Sequence, residues 1–438
     1  DTTVPFPLIS VAGYPDEDND GYPDVCNTLC LASGMTTEPG GPWDIVGEYI
    51  EGSAASDHFG ESVAINGNGT IIAIGAPNHD NGTQAPNAGE VQVWIWNNTE
   101  WASRGQFISG ITANENLGYS IAMSANGNRI AVSAPHFANN AGLVEIRDWD
   151  QNANNYLLRK QLYGGTAQNH FGDAIALSPD GNRIAVGAPY AATAKGSVKV
   201  FNLSDLDNVT QVGTTINGDV ANGERSGFSL ALKNNGNTLA IGDPKFDGAN
   251  TPDNGHVRVF DLGTVNGTSN WVARGDDIEG SAAGDLSGSS LDLSDNGNIL
   301  AIGSPDNDSA ASNSGQIRVF EWVNNNWTLK GGGISGSGNA IGEKIGSERS
   351  ISLSSDGTIL AVGGRFFDSN RGRLSVYKYF GPISGWQLRG AAFISENQGD
   401  QGGASVDLSD DGTSIVIGAP GVEGENGAAS GAAGVYDW

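Results

Sequence analysis

The chain has 438 residues, 65 of them glycine and only two methionine, with 16% charged residues and a formal net charge of −28 at pH 7. Glycine and asparagine supply the positive-φ positions that tight hairpins need, so this composition describes a turn-rich β protein and excludes a helical bundle. An acidic field of this size repels phosphate, which argues against nucleic acid and anionic membrane as partners and leaves cations as the natural counter-partners.

Along the chain, no run approaches the roughly 20 apolar residues that cross a bilayer. Asp1 does not open a signal peptide, so the sequence reads as a processed, soluble form without membrane insertion. Residues 1–42 form a first region with an apolar lead, Val4-Pro-Phe-Pro-Leu-Ile-Ser-Val11, followed by DEDNDGYPDVCNTLC at 16–30. Asp16, Asp18, Asp20, Asp24 and Asn27 fall at positions 1, 3, 5, 9 and 12 of a twelve-residue loop, with Tyr22 offering its carbonyl at position 7 and Gly21 at the sharp turn. Ca2+ takes six to eight hard oxygens, and four carboxylates, an amide and a carbonyl suit it. Asn27 stands where a bidentate acid is usual, which weakens the expected affinity toward the ~10⁻⁴ to 10⁻³ M of extracellular modules.

With cysteines beside it, this loop resembles a thrombospondin type 3 repeat, whose aspartate-rich loops bind calcium and are stapled by nearby cysteines. The resemblance implies that Cys26 pairs with Cys30, the alternative being a bond to another chain. So small a ring would stabilise by only ~2 kcal/mol in the chain-entropy model. Two cysteines in a large acidic chain fit an oxidising, extracellular setting.

From residue 43 onward one phrase recurs: NGNGTIIAIGAP (66–77), SANGNRIAVSAP (124–135), SPDGNRIAVGAP (178–189), KNNGNTLAIGDP (233–244), SDNGNILAIGSP (294–305), SSDGTILAVGGR (354–365) and SDDGTSIVIGAP (409–420). The copies stand 54 to 61 residues apart. Each follows an alternating stretch such as Phe59-Gly-Glu-Ser-Val-Ala-Ile65, and the Asx-Gly between them predicts a hairpin. A third strand is predicted at Gly-x-Val-x-Val-aromatic, as in GEVQVW (89–94), and a fourth at Trp-x-x-x-Gly, as in WASRGQFISG (101–110). Four short strands cannot bury both faces alone, so the fold predicted is all-β: a seven-bladed β-propeller of four-stranded antiparallel blades over 43–438. The last repeat stops at a third strand, Gly434-Val-Tyr-Asp-Trp438, and the missing fourth appears at Trp43-Asp-Ile-Val-Gly47. An N-terminal strand is therefore expected to join the C-terminal blade and close the ring.

Phe59-Gly60 with Gly75-Ala76-Pro77, and Phe171-Gly172 with Gly187-Ala188-Pro189, resemble the FG-GAP repeats of integrin α-subunit propellers. The motifs degrade to Leu117-Gly118 in the second blade and to Gly363-Gly364-Arg365 in the sixth. That family often holds calcium in a long Asp-x-Asp-x-Asp-Gly loop between the first two strands. Here the loop is a tight hairpin with too few carboxylates, so no calcium is expected in the blades.

Eight Asn-x-Ser/Thr sequons, at Asn68, Asn81, Asn97, Asn202, Asn208, Asn266, Asn307 and Asn326, are candidate glycan acceptors in a secreted chain. Chance alone supplies roughly five or six in so asparagine-rich a sequence, so they permit glycosylation without arguing for it. Arg274-Gly275-Asp276 is the integrin-recognition tripeptide, but Arg104-Gly105 and Arg389-Gly390 occupy the same repeat position, which makes it a strand feature. His58 and His170 are equivalent repeat positions, and neither a nucleophile elbow, a phosphate-binding loop nor a zinc-protease motif occurs, so the chain is not expected to be an enzyme. Between Glu343 and Gly390 seven basic residues face four acids. Arg365, Arg371 and Arg373 there are a candidate interface for an acidic partner, including another copy of this chain. The function expected is an extracellular structural or adhesion scaffold with a protein partner or self-association, including a filament built through the N-terminal arm. The alternative is a carbohydrate-binding propeller recognising glycans through loops such as 78–88 or 247–254, with a propeller enzyme behind both.

Overall fold

The computed structural model describes residues 43–82, 85–219, 223–249, 251–337 and 342–438. Seven antiparallel sheets surround one axis, six built from one sequence repeat each and the seventh shared between the two ends of the described chain, and together they make the seven-bladed β-propeller expected from the repeats. Blade 1 shows the plan. Its inner strand is Ser62–Ile65, its second Ile71–Ala76 and its third Glu90–Trp96, and its outer strand comes in two pieces, Trp101–Ser103 and Ile108–Ser109. Blade 2 keeps its outer strand whole over Asn155–Tyr163.

Local chemistry accounts for these elements. At the first hairpin the Asn66 side-chain oxygen accepts the backbone N–H groups of Thr70 and Ile71, both at 2.8 Å. In blades 6 and 7, Asp356 and Asp411 accept Thr358 and Thr413 in the same way, both at 2.9 Å. These side chains brace their own turns, which fixes the hairpin. The second strand is buried along its whole length in blade 1, so it reads as the continuous run IIAIGA rather than as an alternation.

The two glycine motifs meet across the blade boundary. A Cβ on Gly75 would overlap the carbonyl oxygen of Gly118 in blade 2, and one on Gly418 would overlap that of Gly60 in blade 1. The glycine of Gly-Ala-Pro in one blade thus packs on the motif glycine of the next, where a side chain has no room. Ser62 Oγ donates to the Gly118 carbonyl at 2.7 Å, and Ser405 Oγ to that of Gly60 at 2.8 Å. Apolar clusters fill the same boundaries, as where Val144 and Ile146 of blade 2 meet Phe171 and Ile184 of blade 3.

A second circuit runs around the rim. The outer-strand tryptophan of each of several blades donates its indole N–H to the carbonyl just before the outer-strand glycine of the preceding blade: Trp271 to Val212 at 3.0 Å, Trp327 to Arg274 at 2.9 Å and Trp386 to Lys330 at 2.9 Å. In blade 2 Tyr156 replaces tryptophan, and its hydroxyl accepts from Arg104 Nη1 at 2.8 Å. The N-terminal strand completes the circuit. Asp44–Ile45 and Ile50–Glu51 pair with Ala432–Asp437, Trp43 reaches Arg389 in blade 6 at 3.0 Å, and Trp101 of blade 1 reaches Val46 at 2.8 Å. Blade 7 is therefore built from both parts of the chain, as the repeat arithmetic predicts.

Candidate functional site

The inner strands of all seven blades line an axial cavity of about 230 Å3. At its hairpin end Asp292, Asp295, Asp407 and Asp410 gather around Lys233. Lys233 Nζ lies 3.3 Å from Asp295, and although burial pulls its ammonium down, the charges of Asp292, Asp295 and Asp407 outweigh that and hold it above its ordinary value. Asp292 accepts the N–H of Leu353 in blade 6 at 2.9 Å, and Asp407 accepts the N–H of Ile65 in blade 1 at 2.9 Å and Ser352 Oγ at 3.0 Å. Burial pushes the Asp407 carboxyl up to about 6 against the pull of the Ile65 N–H. These aspartates bridge neighbouring inner strands, and that role engages them.

At the opposite end, beside the motif glycines, partly exposed rings form an arc. Tyr119 lies 5.8 Å from His136, His136 5.1 Å from His170, and His170 4.5 Å from Tyr190, all between ring centroids. Arg349 covers Tyr119 at 4.3 Å, and Arg225 covers Tyr190 at 5.1 Å. Burial lowers both His136 and His170, so the imidazoles are neutral at pH 7. Among these rings Asp173 is buried, and its carboxyl is pushed up to about 7 by burial and then by the charge of Glu348. Arg349 pairs with Glu348 at 2.7 Å. This mouth joins flat apolar rings to ionisable groups, chemistry suited to polar ligands with an apolar face.

A set of buried acids recurs at one position of the repeat. Asp57, Glu115, Glu224, Asp285, Glu343 and Asp400 are all at most 3% exposed, and each stands three residues before its blade's motif glycine. They cap the loop that enters the inner strand: Asp57 accepts Ala54 N–H at 2.9 Å, Asp285 accepts Ser281 and Ala282 at 3.0 and 2.9 Å, and Glu343 accepts Ser337 at 2.7 Å. Their regular spacing was the available signal. Several then meet a further partner: Asp57 meets His79 in blade 1, Asp285 meets Asn307 in blade 5 and Glu343 meets Arg373 in blade 6. In blade 4 the partner is His256, in the one His/Asp/Glu group among the described residues close enough to share a metal ion, formed with Asp219 and Glu224.

The candidate residues fall as follows. Asp16, Asp18, Asp20, Tyr22, Asp24, Asn27, Cys26 and Cys30 lie outside the described residues. Asn68, Asn81, Asn97, Asn208, Asn266 and Asn326 are exposed and Asn202 is partly so. Asn307 is 5% exposed, and its amide nitrogen, the atom a glycan would use, donates to Asp285 at 3.0 Å. Arg365 faces Glu61 at 3.0 Å, Arg371 faces Asp368 at 3.4 Å and Arg373 faces Glu343 at 2.6 Å, so each arginine has an intramolecular carboxylate. Arg274 of the Arg-Gly-Asp tripeptide is 9% exposed, and its guanidinium lies over Trp322 at 4.8 Å and Trp327 at 5.5 Å. The tripeptide is part of the rim circuit.

A closed seven-bladed propeller whose blades interlock through Phe-Gly and Gly-Ala-Pro motifs is the class that fold and geometry define. In keeping with it, residues 51–94, covering the entry to blade 1 and its first three strands, match the FG-GAP repeat family. No curated protein matches the chain. No helix among the described residues is long and apolar enough to cross a membrane.

Proposed function

We propose that the chain is an extracellular, non-catalytic interaction scaffold that assembles with other copies of itself through residues 1–42. The observation that carries this reading is the anchoring of the N-terminal strand. Trp43 is 1% exposed and locked into blades 6 and 7, so whatever residues 1–42 bind is coupled to a rigid ring. Those residues hold seven acids and no lysine or arginine, and they include the calcium loop at Asp16–Asn27. Calcium would neutralise and stiffen that loop, and a head-to-tail contact that does not close yields a filament. Arg365, Arg371 and Arg373 enter this reading as a docking surface only by exchanging or sharing their intramolecular carboxylates with an acidic partner. Light scattering of the full chain and of a chain lacking residues 1–42, each with calcium and with chelator, tests it. Calcium-dependent assembly of the full chain alone is expected, and a monomer under every condition removes the proposal.

The arc Tyr119, His136, His170 and Tyr190 favours a second reading, a carbohydrate-binding propeller. Partly exposed rings stack on the apolar face of a sugar, and neutral imidazoles and Asp173 supply hydrogen bonds. Binding on a glycan array that is lost in Tyr190→Ala supports it, and an array without signal removes it.

A further inference from the structure

Blade 4 differs from the other blades in how its buried acid meets its partner. His256, at the start of the third strand His256–Val265, and Asp243, at the end of the second strand Thr238–Asp243, are both 0% exposed, as is Glu224. His256 Nε2 stands 2.8 Å from Asp243 Oδ2 and 3.3 Å from Glu224 Oε1. Asp219, on the exposed side, completes a group whose ligand atoms all lie within 4.8 Å of one another. Asp243 Oδ1, fully buried, has no hydrogen-bond partner. Among the described residues, the carboxylates of Asp219, Glu224, Asp243 and Asp277 share Arg258 and His256 as ion-pair partners.

Blade 1 is the internal control. There His79 also meets two carboxylates, but Asp57 is at Nδ1, 3.0 Å away, and Glu90 at Nε2, 3.6 Å away. The acids sit across the ring from each other and cannot converge on one ion. In blade 4 both nearest carboxylates approach the same nitrogen. The other nitrogen, Nδ1, makes no hydrogen bond, the Asp277 carboxylate lying 3.7 Å away. Phe246 stacks on the ring at 3.8 Å and 6°, fixing its plane. Arg258 holds Asp243 at 2.8 Å and Asp219 at 3.0 Å, as outer groups hold ligating carboxylates.

We propose that Asp219, Glu224 and His256, with Asp243 alongside, form a binding site for a divalent cation of the zinc class. An imidazole with carboxylates suits zinc and its neighbours better than calcium, which prefers oxygen alone. Bonds of about 2.0–2.1 Å place tetrahedral ligands about 3.3 Å apart, the separation already present between His256 Nε2 and Glu224 Oε1. The cation takes the position now held by the proton on Nε2 and offsets the excess of buried negative charge. Asp219 is the one exposed ligand and marks the entry side.

The test is zinc binding by calorimetry and metal analysis on the full chain in excess calcium, which keeps the N-terminal loop from competing. The wild type is expected to bind one zinc per chain that calcium does not displace. Asp219→Asn, a change at an exposed side chain that should leave folding intact, is expected to weaken binding at least tenfold. His256→Gln is expected to abolish it, and His79→Gln to leave it unchanged. Circular dichroism establishes that each variant is folded. No zinc uptake by the wild type overturns the site, as does wild-type affinity in either Asp219→Asn or His256→Gln.

Discussion

Trp43 donates its indole N–H to the carbonyl oxygen of Arg389 at 3.0 Å, joining residues 346 positions apart and closing the rim of the ring. The Arg389 guanidinium lies over the Trp43 ring at 5.4 Å and over Trp438 at 4.5 Å. One end of the described chain, the sixth blade and the last residue therefore form a single stacked unit.

Removing that contact is expected to destabilise more than removing its counterpart elsewhere on the rim. Trp43→Ala deletes a fully buried indole and should cost about 3–5 kcal/mol. Trp386→Ala, at a partly exposed position, should cost less. Urea unfolding of the two variants checks the order, and equal losses would mean that closure has no special weight.

Gly275 has φ +82°, and a Cβ there would lie 2.8 Å from Trp322 Cζ3, whereas Gly284, with φ +81°, has open space around it. Both alanine variants carry the backbone strain of about 1–2 kcal/mol. Gly275→Ala should lose clearly more than Gly284→Ala, and the difference, measured by thermal unfolding, reports the tryptophan contact alone.

Asp285 accepts two backbone N–H groups and the Asn307 amide while 3% exposed. Asp285→Ala leaves those donors unpaired in the interior and should cost about 2–4 kcal/mol. Asp285→Asn, which keeps one acceptor, should recover part of the loss, and unfolding midpoints of the two variants decide it.

The Asp407 carboxyl, raised by burial to about 6, makes a pH prediction. Its folded value lies above the unfolded one of about 3.9. The stabilisation it supplies is therefore fully present below about pH 4 and is lost as pH rises through about 6. Ile65 N–H, Ser352, Lys233 and Asp292 face the group. The advantage of wild type over Asp407→Asn should shrink by roughly 1–3 kcal/mol between pH 4 and pH 7.5. An advantage that grows with pH would contradict the assignment.

Trypsin should spare the bond after Arg274 in the folded ring, because the guanidinium is sandwiched against Trp322 and Trp327 and bonded to Asn298. Cleavage there without unfolding, followed by mass spectrometry, would show the tripeptide to be open after all.

Much of the architecture was legible because its determinants are local. Asx-Gly turns, the run at 71–76 and the seven-fold spacing of its equivalents depend on residues close in sequence, and so does the surplus strand at Trp43 that pointed to closure. The site was far less legible. Buried acids at a fixed distance before each motif glycine were visible as a pattern, yet their partners come from other strands, so nothing local distinguished Glu224 from Glu115. Asn307 reads as an ordinary sequon until its amide is found facing Asp285. By contrast, the repeat position of Arg274-Gly275-Asp276 already marked it as a strand feature, and the next blade's tryptophans cover its arginine.

By itself, then, the sequence determined the number of blades, the order of strands within them and the way the ring closes, since hairpin chemistry and repeat period act over short distances. Only the tertiary structure decided which charges meet. Radial packing brings Lys233 of blade 4 to the charges of Asp292 and Asp407 of blades 5 and 7, and sets Glu224 and Asp243 on the same nitrogen of His256. The first convergence depends on the angle between blades and the second on strand pairing and loop path within blade 4, neither of which a short stretch of residues encodes.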